Sequence, residues 1–275
     1  MLSMAYPSDR KLNRLQQLPE SVLVDAAWLE RHGYSSSLRS QYVKRGWLHQ
    51  PAPRVYRRAS GQLSWQQAVT SLQSFMEYPL TVGGRTALEE QGYAHYLGER
   101  REVHLYGPHK APGWLEALPL DITFRWHNSR RLFPDSPELA PASAPAENTG
   151  SLLPGGFMAT AGTMQWPLRL SSRERAILEL LDELPTHESF HQVDMLMEGL
   201  TNLSPRHLQP LLESCQSVKV KRLFFFFADR HRHAWLNGLN KEAVDFGSGK
   251  RLLVKGGKFD PTYLITVPGD LDGLS

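Results

Sequence analysis

V-L-V-D-A-A-W-L-E-R-H-G-Y-S-S-S-L-R-S-Q-Y-V-K-R-G-W-L occupies residues 22–48, and H-Q-P-A-P-R-V-Y-R-R continues it to residue 58. This stretch contains two short segments of helical character joined by a glycine-containing turn, and an apolar, basic hairpin follows them. That order is typical of a winged helix-turn-helix, a module that places its second helix in the major groove of DNA. The stretch therefore predicts a DNA-binding unit in the first part of the chain.

Residues that favour helix ends mark the two helices. Asp25 can cap the first helix with its carboxylate, and Gly33 suits the left-handed position at which that helix stops. Ser35 or Ser36 can cap the second helix, which is expected to stop at Gly46. The turn between the two helices is therefore only a few residues long, as the motif requires.

The second helix has an inward and an outward face. Leu38 and Tyr42 are four residues apart and are expected to pack against Trp28 and Leu29 of the first helix. The outward face carries hydroxyls, an amide and a cation, which are groups that contact base edges and phosphates. These candidates are Ser36, Ser37, Ser40, Gln41 and Lys44.

Arginine side chains around this face are expected to hold the DNA backbone. Two of them flank the second helix and three lie on the wing, which turns at Pro51 and Pro53 between two strands. The five are Arg39, Arg45, Arg54, Arg57 and Arg58. The alternative interpretation is the solvated face of a small helical domain, because charged and polar residues are mostly exposed in any protein.

The distribution of charge along the chain favours the DNA-binding interpretation. Residues 1–58 contain ten Lys or Arg against four Asp or Glu, and residues 216–258 contain ten against three. Residues 59–215 contain eleven against eighteen, so the net charge of +3 conceals two basic segments around an acidic middle. Clustered positive charge releases counterions from DNA and supplies most of the non-specific affinity.

Length and composition predict two globular domains in the cytoplasm. A chain of 275 residues can form two cores, and none of its apolar runs approaches the roughly 20 residues that cross a bilayer. The first residues lack a charged lead before an apolar segment, so no secretory signal is expected. The only cysteine, Cys215, excludes an intrachain disulfide, and its helical spacing from nearby leucines predicts a core residue rather than a nucleophile.

The order of predicted elements indicates an α+β fold. Residues 1–96 are expected to form the winged helix-turn-helix domain, and residues 97–275 a larger mixed α/β domain with helices and short antiparallel strands. Prolines at 134, 137, 141, 145 and 154 predict a flexible insertion at about 134–155. Helices are expected at 8–18 and 65–78, before residue 93, and after residues 172, 189 and 204, with strands at 102–106, 122–126 and 166–170.

Two local predictions concern the second domain. Ser171-Ser172-Arg173-Glu174 fits a capping box at the start of a helix. Val218 to Leu223 alternates like a strand and continues into four phenylalanines, Phe224–Phe227, which predicts a strand covered on both faces or covered by a partner. Three helices followed by strands would then form a second arrangement similar to a winged helix.

Enzymatic interpretations have weaker support. Gly247-Ser248-Gly249-Lys250-Arg251 lacks the upstream glycine and the following Ser or Thr of a phosphate-binding P-loop, and Asp260 is the next acidic residue. His231 and His233 lie two residues apart, but neighbouring arginines would repel a metal ion. Gly83-Gly84-Arg85 most simply forms a tight turn before a helix, although an anion at that helix end is an alternative. We therefore predict no catalytic residue, no metal and no cofactor.

Motifs throughout the chain resemble those of the AbiEi-type antitoxins of type IV AbiE toxin–antitoxin systems. In the first third they are L-V-D-A-A-W-L-E-R-H-G-Y-S at 23–35, Y-V-K-R-G-W-L at 42–48, R-V-Y-R-R at 54–58 and T-V-G-G-R-T-A-L at 81–88. Further on they are V-H-L-Y-G-P at 103–108, V-K-V-K-R-L-F at 218–224, H-A-W-L at 233–236, G-S-G-K-R-L-L-V-K-G-G-K at 247–258 and Y-L-I-T-V-P at 263–268. The resemblance covers most of the chain outside the proline-rich insertion.

The resemblance implies a function for each part of the chain. It implies an N-terminal winged helix-turn-helix that represses its own operon at inverted repeats in promoter DNA. It also implies a C-terminal domain that counteracts a nucleotidyltransferase-like toxin without a stable complex. The basic residues of the second domain are candidates for this antitoxin surface, namely Lys219, Lys221, Arg222, Lys250, Arg251, Lys255 and Lys258.

Two other classes of function remain open from the residues alone. One is a nucleic-acid-processing or nucleotidyltransferase enzyme that uses the basic C-terminal loop. The other is a pure interaction protein that docks through a Phe224–Phe227 strand.

Overall fold

The computed structural model describes residues 7–20, 22–58, 61–93, 102–134, 152–153, 157–160 and 167–271. For residues 7–10 and for the two strands between 152 and 160 it describes the backbone alone. The predicted proline-rich insertion at about 134–155 therefore lies almost entirely outside the described residues.

The described residues between 7 and 58 form a winged helix-turn-helix, as the sequence predicts. Its elements are α1 (Pro7–Gln16), β1 (Val24–Asp25), α2 (Ala26–Arg31), α3 (Ser36–Lys44), β2 (His49–Ala52) and β3 (Val55–Arg57). The strands form an antiparallel sheet in the order β1-β3-β2. Apolar side chains from the helices and strands meet in one small core, which includes Leu15, Val24, Leu29, Tyr42, Leu48 and Tyr56.

The predicted capping residues hold the two motif helices in place. The N–H of Trp28 donates to the Asp25 carboxylate at 2.7 Å, and the Ser35 hydroxyl caps α3. Gly33 and Gly46 follow the helices at φ values of 84° and 74°, the left-handed region that glycine enters at low cost. These local predictions are confirmed. They succeed because a cap or a stop glycine acts on residues that are close to it in the sequence.

The rest of the described chain is built around one mixed sheet of six strands. The first elements after the wing are α4 (Trp65–Ser74), β4 (Thr81–Val82), α5 (Gly84–Glu90), β5 (Glu102–Gly107) and β6 (Thr123–Asn128). Strands β7 (Leu152–Leu153), β8 (Phe157–Thr160) and β9 (Leu168–Ser171) complete the sheet, whose order is β6-β5-β4-β9-β8-β7. Pairs β5–β6 and β4–β9 are parallel, and the others are antiparallel.

Helices cover this sheet and a small hairpin follows them. The helices are α6 (Arg173–Asp182), α7 (Phe190–Gly199), α8 (Pro205–Ser214) and α9 (Val218–His231), and the hairpin pairs β10 (Lys258–Asp260) with β11 (Ile265–Val267). Leu23 and Val55 of the winged unit belong to the same large core as residues of α4, α6 and α9. None of the helices among the described residues is both long and apolar enough to span a lipid bilayer.

The prediction for residues 218–227 was wrong, because this segment is the helix α9. Phe224, Phe225 and Phe227 are fully buried, whereas Phe226 is partly exposed. A helix that is surrounded by α6, α7 and the C-terminal hairpin is apolar around most of its circumference, so its sequence lacks the usual amphipathic period. The four phenylalanines therefore form part of the core, and they offer no docking strand.

One further local prediction, the capping box at Ser171–Glu174, was wrong. Ser172, not Ser171, caps α6 by accepting from the Arg175 N–H, so the predicted capping box is absent. The Glu174 carboxylate instead accepts from the N–H of Ser204 at 3.0 Å, which joins α6 to the start of α8.

The glycine turn before α5 does hold an anion, but the anion belongs to the chain. The Gly84 N–H donates to the Glu179 carboxylate at 3.0 Å, and Arg175 binds the same carboxylate at 2.8 Å. A Cβ atom at Gly83 would collide with Glu179 and Tyr106, which explains glycine at that position. Cys215 is buried in the core, as predicted.

The histidine pair lies where α9 ends. The His231 ring contacts the Asp194 carboxylate at 2.7 Å, and His233 contacts the Met197 carbonyl at 2.8 Å. Arg232 adopts the left-handed conformation that closes the helix. The two rings therefore attach the end of α9 to α7.

Candidate nucleic-acid interface

The outward face of α3 is open to solvent along its whole length. Ser36, Ser37, Ser40, Gln41 and Lys44 are exposed, and Arg45 follows them at the exposed end of the helix. Tyr42 is buried on the opposite side, where its ring contacts Tyr34 edge-on. The helix therefore presents three hydroxyls, an amide and two cations on a surface that is free of large apolar groups.

Arg39 does not belong to this face, contrary to prediction. Its side chain is buried beneath α3, and its guanidinium donates to the carbonyl of Tyr34 at 2.6 Å and to that of Ala26 at 3.5 Å. The Tyr34 carbonyl lies in the turn between the helices and the Ala26 carbonyl at the start of α2, so Arg39 connects α2 to α3. An arginine that satisfies buried carbonyls contributes to the fold, and it cannot reach a phosphate from that position.

The wing is a two-residue turn with an arginine at its tip. Arg54 is exposed, and its φ of 66° is unusual for a residue other than glycine or asparagine. Its carbonyl accepts from the N–H of Ala26 at 2.8 Å, which places the wing turn beside the first residue of α2. The Arg54 backbone is thus held next to the helix-turn-helix, in a left-handed conformation that arginine disfavours.

Of the other two wing arginines, Arg57 is buried, so the prediction that it holds a DNA phosphate was wrong, whereas the prediction for Arg58 stays a prediction. Arg57 is buried and donates to the Gly61 carbonyl at 3.3 Å. Arg58 is partly buried and donates to the carbonyls of Gln16 and Leu18 at 2.5 and 2.6 Å, which ties the wing to the end of α1.

An aromatic ring beside α3 was missed as a candidate. Trp47 lies two residues before β2, and 37% of this residue is exposed. The Arg45 guanidinium lies 5.2 Å from the centre of that ring, within cation–π range. Contact with the Trp47 ring therefore restricts the conformations of the Arg45 side chain at the edge of the candidate interface.

The seven candidate residues of the antitoxin surface differ in how deeply they are buried. Lys221 and Arg222 are buried, and Lys219 donates to the carbonyls of Asp182 and Leu184 at 2.5 and 2.9 Å. The assignment of Lys221 and Arg222 to a surface is therefore wrong, whereas Lys219 is half-buried and stays a candidate. Lys250, Arg251, Lys255 and Lys258 are exposed, and we call these four residues the C-terminal basic loop.

Buried Arg222 shapes this loop from beneath. Its guanidinium donates to the carbonyls of Phe246, Gly247 and Gly249 at 2.8, 3.2 and 2.6 Å, and approaches that of Leu264 at 3.4 Å. The glycine-rich segment therefore turns around an internal cation, and its carbonyls point inward. Lys250 lies 4.9 Å from the Phe259 ring, and Leu252 is 73% exposed beside it.

Comparisons with known proteins agree with this architecture. Residues 8–98 match the family model described as "Transcriptional regulator, AbiEi antitoxin N-terminal domain". Residues 100–268 match the model described as "Transcriptional regulator, AbiEi antitoxin, Type IV TA system". No curated protein matches the chain significantly.

One solved structure has a similar fold. It is the RV2827C protein from Mycobacterium tuberculosis, with a TM-score of 0.53 and 12% sequence identity. The alignment covers 94% of this chain and 90% of that one. At that identity the similarity concerns the fold alone. The two family models together span nearly the whole chain, which belongs to the AbiEi family of antitoxin transcriptional regulators of type IV toxin–antitoxin systems.

Proposed function

We propose that the protein represses its own operon by binding inverted repeats in the promoter through α3 and the wing. The observation that carries this proposal is the continuous exposed face of α3, which includes Gln41 and, at the end of the helix, Lys44. The exposed Arg54 lies at the tip of the wing. Amide and hydroxyl groups on such a helix contact base edges, and cations at its rim contact phosphates. An inverted repeat would be read by two copies of the module, one on each half-site.

The experiment measures binding of the full-length protein to its promoter DNA and to random DNA over a range of salt concentrations. We expect Lys44→Ala to weaken binding to both DNAs and to reduce the salt slope by about one, because one phosphate contact is lost. Gln41→Ala should weaken promoter binding and leave random binding unchanged, because an amide reads bases. Arg206→Ala, at an exposed position on α8, is the matched control and should change neither. Unaltered promoter affinity in both α3 variants would reject the assignment.

We also propose that the chain divides its two tasks near residues 96 and 97. Residues 1–96 bind DNA, and residues 97–275 counteract a nucleotidyltransferase-like toxin without forming a stable complex. The support for a separate antitoxin surface is the C-terminal basic loop, whose backbone Arg222 fixes. The proposed boundary separates two functions and not two folding units, because the six-stranded sheet contains strands from both sides of it.

Growth of cells that express the cognate toxin tests the second task. We expect Lys250→Ala combined with Lys255→Ala to reduce rescue by the antitoxin while promoter binding persists. Gln41→Ala should do the opposite, because it lies on the other surface. Full rescue by the loop variant, or a toxin that remains bound through size-exclusion chromatography, would contradict the proposal.

A further inference from the structure

A cavity of about 720 Å³ lies between the wing and the start of α4. Residues His49, Gln50 and Pro51 of β2 form one wall, and Arg57 of β3 lies beside them. The segment 119–122 before β6 forms the opposite wall. Its volume is within the range of about 300 to 1,000 Å³ that small-molecule sites have.

Arg57 contributes an uncompensated cation to this cavity. Its side chain is 5% exposed, and Nη1 makes one hydrogen bond to the Gly61 carbonyl. Its Nε is buried without a hydrogen-bond partner, and among the described residues no carboxylate lies within ion-pair distance of it. Burial lowers the pKa of Arg57. A buried charge without a counter-charge is unfavourable unless something else provides one.

The start of α4 faces the same cavity. Ser64 caps this ten-residue helix by accepting from the Gln67 N–H, and Ser64 and Trp65 line the cavity. A helix N-terminus carries partial positive charge and directs N–H groups outward, so it attracts oxyanions. The Arg57 guanidinium, whose Nε has no hydrogen-bond partner, is a second and independent feature that attracts an anion.

The opposite wall has a different character. Leu120 and Ile122 are half-buried there, together with Leu63 and Trp65 from the α4 side. Asp121 lies on this wall as well, but it is exposed to water. An occupant would therefore place its anionic end towards Arg57 and an apolar body towards the leucine and isoleucine side chains.

We propose that this cavity binds a small organic anion, with a carboxylate or phosphate held by Arg57 and the N-terminus of α4 and an apolar or aromatic body against Leu120 and Ile122. The occupant would touch β2 and β3, the two strands of the wing hairpin that presents Arg54. It would thus join the wing to α4 at the junction between the DNA-binding unit and the rest of the molecule.

Calorimetry and thermal unfolding of the full-length protein test the proposal with four probes. Benzoate and phenyl phosphate carry both features, benzamide lacks the charge, and inorganic phosphate lacks the body. We expect benzoate or phenyl phosphate to bind at least tenfold more tightly than either benzamide or inorganic phosphate, and to raise the Tm. Equal binding of benzamide, or no binding of either organic anion, would overturn the proposal.

Two variants locate the binding. Arg57→Met removes the charge at similar volume, so it should abolish the tenfold preference while leaving the Tm equal or higher. Arg58→Met is the matched control, because it removes a neighbouring arginine that already has carbonyl partners; it should lower the Tm and preserve binding. A lower Tm in Arg57→Met with unchanged binding would show that Arg57 is structural and would sink the assignment.

A variant on the opposite wall keeps the test decisive if Arg57→Met does not fold. Leu120→Trp fills the cavity from the far side and leaves Arg57 intact. We expect it to weaken binding of the organic anions at least tenfold. Unchanged binding in Leu120→Trp would show that the probes bind elsewhere and would overturn the proposal.

Discussion

At the residue scale, the main lesson concerns the direction of basic side chains. The sequence makes the basic residues Arg39, Arg57, Arg58 and Arg222 candidates for contact with a partner. In the structure each of them donates to a backbone carbonyl of the protein itself. A guanidinium has five N–H donors in a plane, so it can satisfy several carbonyls where loops converge. Residue type alone does not distinguish this role from contact with a phosphate.

Arg54 is the opposite case, because it is exposed and its backbone has a left-handed conformation that arginine disfavours. The left-handed conformation costs a residue with a Cβ about 1 kcal/mol relative to glycine. We expect Arg54→Gly to raise the free energy of unfolding by about that amount and to weaken DNA binding. Urea unfolding and promoter titration measure the two effects. Arg54→Asn is the comparison, because asparagine also tolerates this backbone and lacks the cation; equal DNA affinity in both variants and wild type would contradict a role in binding.

His104 predicts how stability depends on pH. The pKa of His104 is lowered to about 4, first by burial and then by the neighbouring His127, whose Nε2 lies 3.0 Å from the His104 Nδ1. Between the usual pKa of 6.5 and about 4, the unfolded chain binds a proton that the folded chain does not. Stability should therefore fall as the pH decreases through this window, by at most about 3 kcal/mol from this group.

Urea unfolding between pH 7.5 and 4 checks this expectation. His104→Gln removes the titrating group, so its stability should fall less steeply over the same window. His207→Gln, at an exposed position on α8, is the control and should follow the wild type. Parallel curves for wild type and His104→Gln would show that His104 is not responsible.

At the scale of elements, α9 explains why a periodic pattern can mislead. Val218–Leu223 alternates in hydropathy, but Lys221 and Arg222 are both buried in the helix. A helix packed on several sides keeps only a narrow exposed side, and a short apolar run within it cannot be told from a buried strand by periodicity alone. By contrast, α2 and α3 were predicted correctly because their caps and stop glycines lie within the segment itself.

Two phenylalanine variants distinguish the helix from the expected strand. Phe224→Ala should lower the free energy of unfolding by about 3 to 5 kcal/mol, because the side chain is fully buried. Phe226→Ala should cost less than half as much, since this ring is only partly buried. On a strand the two residues would share one face and would cost similar amounts, so equal losses in urea unfolding would contradict the helical packing.

At the scale of the whole molecule, the sheet connects the two matched family segments. β4 comes from before residue 97 and pairs with both β5 and β9. In addition, Arg85 of α5 forms a buried ion pair with Glu188, at 2.8 Å between Nε and Oε1. The C-terminal segment consequently depends on residues of the N-terminal one for its central strand and for a counter-charge.

Fragments of the chain test this dependence. We expect a fragment of residues 97–275 to lose cooperative urea unfolding, because it lacks β4 and leaves Glu188 buried without Arg85. A fragment of residues 62–275 retains both and should unfold cooperatively, at a lower urea midpoint than the full chain because the winged unit no longer covers α4. A midpoint for 97–275 equal to that of the full chain would contradict the dependence.

The sequence by itself determined the winged helix-turn-helix, its caps, its outward polar face and the family. These depend on contacts within about 35 residues and on motifs that keep their order. Only the tertiary structure decided that α9 is a helix, which arginines are internal, and that one sheet crosses the boundary between segments. The physical reason is that burial of a side chain is set by distant elements, as when Arg222 of α9 meets carbonyls more than 20 residues away.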